Sequence, residues 1–344
     1  MATPRKFIVS PKGDPTLHLI SRCVRRAYLI GADKELGALH HRKVWIENHL
    51  VRLAGLFGVE PLTFAIMDNH FHLVVTMRRS WVESWSDETV VRKWMAVFPS
   101  SRKFRGENGE AAKEQNIQLL LKRPEKVAEF RKRLGDCGWL MKALKEPISR
   151  QANKEDGAKG AFWDARYKSV ELEDEGAVLA CMAYVDVNPL RAGVVETVEE
   201  QTNVGIELRI KEAQAKQEEN MRKFEAWRDA QEKCRLEAAE DAEQSAPFKP
   251  VAWMRERSWL KPMDEHGAEG GERSFFRGRA LTLTAYISLL EFTSQKKRDG
   301  KAHMKPELAG ALKRLGLTEP EETMDRVLGR LEPGHHGAKL SSAA

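Results

Sequence analysis

The sequence predicts an α/β protein, and three features predict it. Residues 16–24 alternate as a half-buried strand, and two apolar β-prone runs flank Asp68-Asn69. Apolar residues recur near helical spacing over 33–57, a further helix follows a possible cap at Asp174, and strand-like and helix-like runs follow one another along the chain. The first strand is TLHLISRCV, followed directly by the pair Arg25-Arg26. Leu36, Leu39, Val44, Ile46, Leu50, Leu53, Leu56 and Phe57 then form a helical stripe, with Gly58 where a C-cap belongs. The β-prone runs LTFAIM and HFHLVVTM, separated by Asp68-Asn69, read as a hairpin.

The stretch 79–160 changes character. It carries Trp81, Trp85 and Trp94 near its start and a Lys/Glu-rich segment behind them, and it reads as a mostly helical insertion. GAFWDARYKSVELE resembles a further strand, after which Asp174 caps a helix, DEGAVLACMAYVDVN, that ends before Pro189. The core therefore runs over 14–198. Residues 199–245 are an almost continuous run of Glu, Lys, Gln, Arg and Ala, too poor in apolar positions for a coiled-coil seam and read as a solvated helical spacer. Apolar residues return over 246–332, enough for a small helical module, and 333–344 read as a flexible tail.

Composition narrows the class. A hydrophobic fraction of 42% and a charged fraction of 31% over 344 residues belong to a folded protein, not a wholly disordered one. No run approaches the roughly 18 to 20 apolar residues of a membrane helix, and MATPRKFIVSPKGD lacks the apolar stretch of a secretory signal, so no membrane partner and a cytoplasmic location are expected. The four cysteines form no CxxC pair, which argues against a disulfide framework or a thiolate zinc site. The net charge of +6 suits a polyanionic partner without requiring one.

The sharpest chemical feature is His70-Phe71-His72. On a strand, period-two alternation places both imidazoles on one face and Phe71 on the other, so the pair can chelate a divalent ion; the same spacing also describes two surface histidines. Tyr184 and Asn188 stand at i and i+4 on the last core helix and share a face. If that face covers the histidine strand, two imidazoles and an amide oxygen can hold an ion with positions open for phosphate and water, beside a tyrosine able to attack phosphorus. The plainer alternatives are an aromatic that packs the helix and an asparagine that caps it ahead of Pro189.

Three separated motifs in this order, MDNHFHLVV, FWDARYKS and AYVDVNPLRAGVV, resemble the REP-associated tyrosine transposases of the HUH single-strand transposase superfamily. The resemblance covers residues 17 to about 195, interrupted by the long insertion. It implies a ferredoxin-like antiparallel sheet with helices on one face, to which the helical insertion and C-terminal extension are additions. It also implies Tyr184 as the nucleophile and His70, His72 and Asn188 as ligands of magnesium or manganese. The implied activity is cleavage and rejoining of single-stranded DNA beside imperfect hairpins through a 5'-phosphotyrosine, without a nucleotide energy source. Both monomers and dimers that exchange the tyrosine helix occur in that superfamily. Two alternatives stay open: a nucleic-acid-binding protein on the same fold that no longer cleaves, and a metal phosphodiesterase in which water attacks.

Recognition of a folded single strand calls for cations on phosphates and aromatics under unstacked bases. The candidates by proximity in sequence are Arg25, Arg26, Arg78, Arg79, Arg166, Lys168 and Arg191, with Trp163 and Tyr167 as stacking surfaces; singly each reads as a solvated charge or a packing aromatic, and as a set the cations read as a phosphate track. Asp68 is placed either to orient His70 or simply to make the hairpin turn.

Overall fold

Four strands, β1 (Thr16–Arg22), β2 (Val59–Ile66), β3 (His70–Met77) and β4 (Lys168–Leu172), form one antiparallel sheet in the order β2-β3-β1-β4. The structure, a computed structural model, describes residues 9–10, 13–24, 41–98, 109–191, 202–237, 259–263, 275–276, 281–299, 312–313 and 322. The order is that of a ferredoxin-like sheet, with α1 (His41–Ala54) joining β1 to β2 and the hairpin at Asp68-Asn69 joining β2 to β3.

Between β3 and β4 lie α2 (Arg79–Ser84), α3 (Asp87–Val97), α4 (Gly109–Leu121), α5 (Pro124–Leu134) and α6 (Cys137–Glu155). The last of these packs against α1, the place where a ferredoxin-like sheet needs its second crossover helix. A buried arginine fastens the two together: Arg42 on α1 donates Nε to Glu155 Oε2 at 2.7 Å and pairs with Asp156 just beyond α6. Helices α2 to α5 add their apolar sides to the same core, where Trp94 stacks on Phe130 with ring centroids 4.9 Å apart.

Strand alternation divides the interior in two. Leu17, Leu19, Phe64, Ile66, Phe71, Leu73 and Val75 face α1 and α6 in one cluster. Val74, Ala65 and Leu172 face α7 (Glu175–Asp186) in the other. The sequence expectation of helices on one face describes α1 and α6; α7 lies on the opposite face, because Ala177 to Asp186 are buried all round and need cover on every side. Asp174 caps α7 as expected, accepting from the Ala177 amide at 2.8 Å. A turn at Val187 separates α7 from the short α8 (Asn188–Arg191), since Pro189 cannot continue the helix.

The charged run forms α9 (Gly205–Glu237), exposed over 211–222 but buried at its start. Helix α10 (Leu283–Asp299) sets Tyr286, Leu289 and Leu290 into the cluster around α7. The C-terminal tail, 333–344, lies outside the described residues.

Gly58, expected as a helix cap, has a different role. Its φ is not positive, its amide donates to Leu134 O at 3.0 Å, and its carbonyl accepts from the Arg78 amide at 2.8 Å. A methyl group there would stand 2.7 Å from Arg78 O and collide with the Val82 side chain. Gly58→Ala is therefore expected to destabilise the protein by about 1–3 kcal/mol through overpacking, read as a lowered urea midpoint with an unchanged slope.

Candidate functional site

Three histidines meet under α7. In the β1–β3 register Ile20 lies opposite His72 and Arg22 opposite His70, so His18 and Arg22 share the face of His70 and His72. His18 Nε2 is 2.9 Å from His72 Nδ1, and the two rings stack at 5.1 Å with 21° between their planes. The His70 and His72 rings lie edge to face at 4.9 Å. From α7 the Tyr184 ring stands edge-on to His72 at 5.8 Å and to His18 at 6.3 Å. From α8, Asn188 brings its amide Nδ2 to 3.5 Å from His72 Nε2. The expected i,i+4 relation of Tyr184 and Asn188 is thus made across the break between two helices.

The site is closed on the inside and open at one rim. His18 is 1% exposed, His72 4% and Tyr184 8%, whereas His70 and Asn188 are half-buried. Burial holds both flanking imidazoles neutral: His18 is pushed down to about 3, and His70 to about 4 by burial and by Arg22, against the opposing pull of Asp68. Neutral imidazole is the form that ligates metal. Each histidine of the pair has Nδ1 engaged, His70 by Asn69 Oδ1 at 2.6 Å and His72 by His18, which leaves Nε2 as the nitrogen a ligand could reach. Among the described residues no three His, Cys, Asp or Glu side chains are grouped as a metal site. The donor set that fits a divalent ion here is two imidazoles and one amide.

Sequence proximity misplaces several of the expected DNA contacts. Arg78 and Arg79 follow the far end of β3, roughly 26 Å from His70 at the rise of a strand. There Arg78 pairs with Glu60 and Arg79 donates to Ser10 O at 2.8 Å, so both serve the fold. Trp163 lies on the other side of the sheet, edge-on to Phe71 at 5.7 Å, with Nε1 donating to Lys145 O at 3.0 Å. Tyr167 packs on that side too, its hydroxyl 3.4 Å from Cys137 Sγ. Lys168, by contrast, is exposed and pairs with Ile20, which places it in the row of His72 on the site face. Arg166 is exposed just before β4. Arg25 and Arg26 lie outside the described residues, as does the side chain of Arg191.

Asp68 binds Lys43 Nζ at 2.9 Å, and it is Asn69 that orients His70. His18 and Arg22 are the residues the sequence reading overlooked. Their signal was parity with each other in TLHLISRCV, but that parity has meaning only once β1 is known to lie beside β3.

A buried carboxylate steadies the helix that carries the tyrosine. Asp186, fully buried, accepts from Thr63 Oγ1 at 2.5 Å, from Tyr286 OH at 2.5 Å and from the Ile206 amide at 3.3 Å. Burial pushes its carboxyl up, opposed by the nearby Arg209 guanidinium and by these hydrogen bonds. Arg209 itself donates to Leu62 O and, at 3.2 Å, to Lys261 O. Strand β2 and helices α7, α9 and α10 are joined at this one group.

Tyr286→Phe removes one donor from a buried carboxylate and is expected to lower stability by about 1.5–3 kcal/mol, measured by urea unfolding. Acidification acts through His18. The unfolded chain takes a proton on this ring near the ordinary imidazole value of 6.5, whereas the folded chain resists until about 3. Stability accordingly falls as the pH drops below that ordinary value, and His18→Gln should flatten the fall. Urea midpoints in chelator across that range, compared between the two proteins, test this; parallel curves would refute it.

No family model matches the chain, and no curated protein matches it. Among solved structures it is similar to "Structure of the REP associates tyrosine transposase bound to a REP hairpin", at 12% sequence identity and a TM-score of 0.36, over 61% of this chain and 86% of that one. At that level the likeness carries no functional argument, and the case for function stands on the chain's own geometry.

Proposed function

We propose that the protein is a metal-dependent single-stranded DNA transposase or nuclease that cleaves and rejoins DNA beside hairpins through Tyr184. The observation that carries this reading is the convergence of Tyr184, His70, His72 and Asn188, from β3 and two helices, at one half-open corner of the sheet. An aromatic present only for packing would not need two imidazoles and an amide beside it.

In the proposed reaction the Tyr184 phenolate oxygen attacks phosphorus, the P–O3' bond breaks, and the departing 3' oxygen takes up a proton. The 5' phosphate is left as a tyrosine ester whose bond energy is kept for rejoining. His70 and His72 through Nε2, and Asn188 through its amide oxygen after a half-turn of the amide, would hold magnesium or manganese; the imidazole content favours manganese. Such an ion supplies Lewis acidity at the scissile phosphate and alignment with the nucleophile. Arg22 and Lys168 on the site face, with Arg25, Arg26, Arg166 and Arg191, are the cations suited to the DNA backbone.

The test is a denaturing gel of the protein with labelled single-stranded imperfect-hairpin oligonucleotides in magnesium, manganese or chelator. A metal-dependent covalent adduct is expected, lost in Tyr184→Phe and reduced at least about a hundredfold in His70→Ala, as befits loss of a group acting in the transition state. Cleavage that survives Tyr184→Phe without an adduct would shift the assignment to attack by water. Hairpin binding without cleavage by the intact protein would leave a binding protein.

A further inference from the structure

We infer that His18 is a positioning residue that sets the tautomer of His72 and thereby makes His72 a metal ligand; this rests on the proposed reading of His72. The histidine is 1% exposed and sits on a central strand beneath α7, too deep to meet substrate. An imidazole is an expensive occupant for such a position. Its Nδ1 is buried without a hydrogen-bond partner, a burden an apolar residue would avoid.

The compensation lies at its other nitrogen. A single proton occupies the 2.9 Å contact between His18 Nε2 and His72 Nδ1. If it belongs to His72, then His72 Nε2 carries a lone pair and can ligate. If it belongs to His18, the proton of His72 sits on Nε2, facing Asn188, and ligation is blocked. Ion binding selects the first arrangement, which requires an acceptor at His18 Nε2 and leaves the His18 proton on the unpartnered Nδ1. The neighbouring ligand is treated alike: Asn69 Oδ1 accepts from His70 Nδ1 and presents Nε2. Each histidine of the pair therefore has its own acceptor, one polar and half-exposed at the turn, the other buried in the adjacent strand.

The test is manganese binding by the full-length protein, followed by loss of the free-ion paramagnetic resonance signal, with folding checked by circular dichroism. His18→Leu removes the acceptor and should weaken binding about 10- to 100-fold, while His18→Gln, whose amide oxygen can stand near the former Nε2, should restore most of it. Equal binding by wild type and a folded His18→Leu variant overturns the inference and leaves the proposed function standing. A His18→Gln variant as weak as His18→Leu also overturns it, because bulk and not the acceptor would then matter. Absence of binding by the wild type overturns both this inference and the metal assignment. Nitrogen-15 shifts of the wild-type histidines in magnesium decide the matter even if His18→Leu fails to fold: a proton on His72 Nδ1 is expected, and a proton on Nε2 overturns the inference.

Discussion

The register of β1 against β3 is the constraint from which the candidate site follows. With Ile20 opposite His72 and Arg22 opposite His70, three imidazoles and a guanidinium share one face. A slip of one residue would send His18 and Arg22 to the other face and bring Leu17 and Leu19 in their place. What prevents the slip is on the opposite side, where Leu17, Leu19, Phe71, Leu73 and Val75 are wholly or almost wholly buried against α1 and α6. Each such side chain contributes about 1.5–3 kcal/mol by leaving water. The polar face thus takes its alignment from the apolar one, and the helices between β3 and β4 serve the site through a core it never touches.

A second restraint acts on α7. A helix apolar on all sides has no inherent rotation about its axis, and hydrophobic burial alone would tolerate several settings. Asp186 removes that freedom, because a buried carboxylate must find partners, and its partners on β2, α9 and α10 are met in one orientation. Gly205 allows the approach: a side chain at this position would collide with Thr63, one of those partners. Tyr184 and Asn188 stand two residues to either side of this anchor. The start of the charged helix and the apolar side of α10 therefore belong to the support of the tyrosine, whatever else the C-terminal segments do.

Legibility in the sequence followed the range of the interactions. His70 and His72 could be read because a two-residue period is local, and the Asp174 cap because it is decided within three residues. Trp163 and Arg78 looked close to the site along the chain, yet β3 carries Arg78 to its far end, and Trp163, bridged to Cys23 ahead of β4, packs against Phe71 on the other side of the sheet. Asp68 and Asn69 compete for His70 in the same turn, and only the turn's geometry decides for Asn69. Helix α6 was hidden inside an apparent insertion, since periodicity reveals an apolar stripe but not the helix it will meet. His18 was hidden for the same reason, as its meaning resides in a neighbour 54 residues away.

The gradient of exposure across the site bears on the proposed chemistry. Near His18, His72 and Tyr184 water is largely excluded, which holds the His18 imidazole neutral and, in the proposed reaction, would strengthen ion–ligand attraction and protect the phosphotyrosine ester from hydrolysis. At His70 and Asn188 the corner opens, and the exposed Arg22 and Lys168 flank that opening from β1 and β4. In the proposed reading a polyanion approaching from this side would meet the cations first and the histidine pair next, with the tyrosine behind them. Complete burial would bar the strand, and full exposure would raise the histidines toward protonation while admitting water to the ester. The half-open corner satisfies both demands because its closed side is sheet and helix, and its open side is a hairpin turn beside the start of α8.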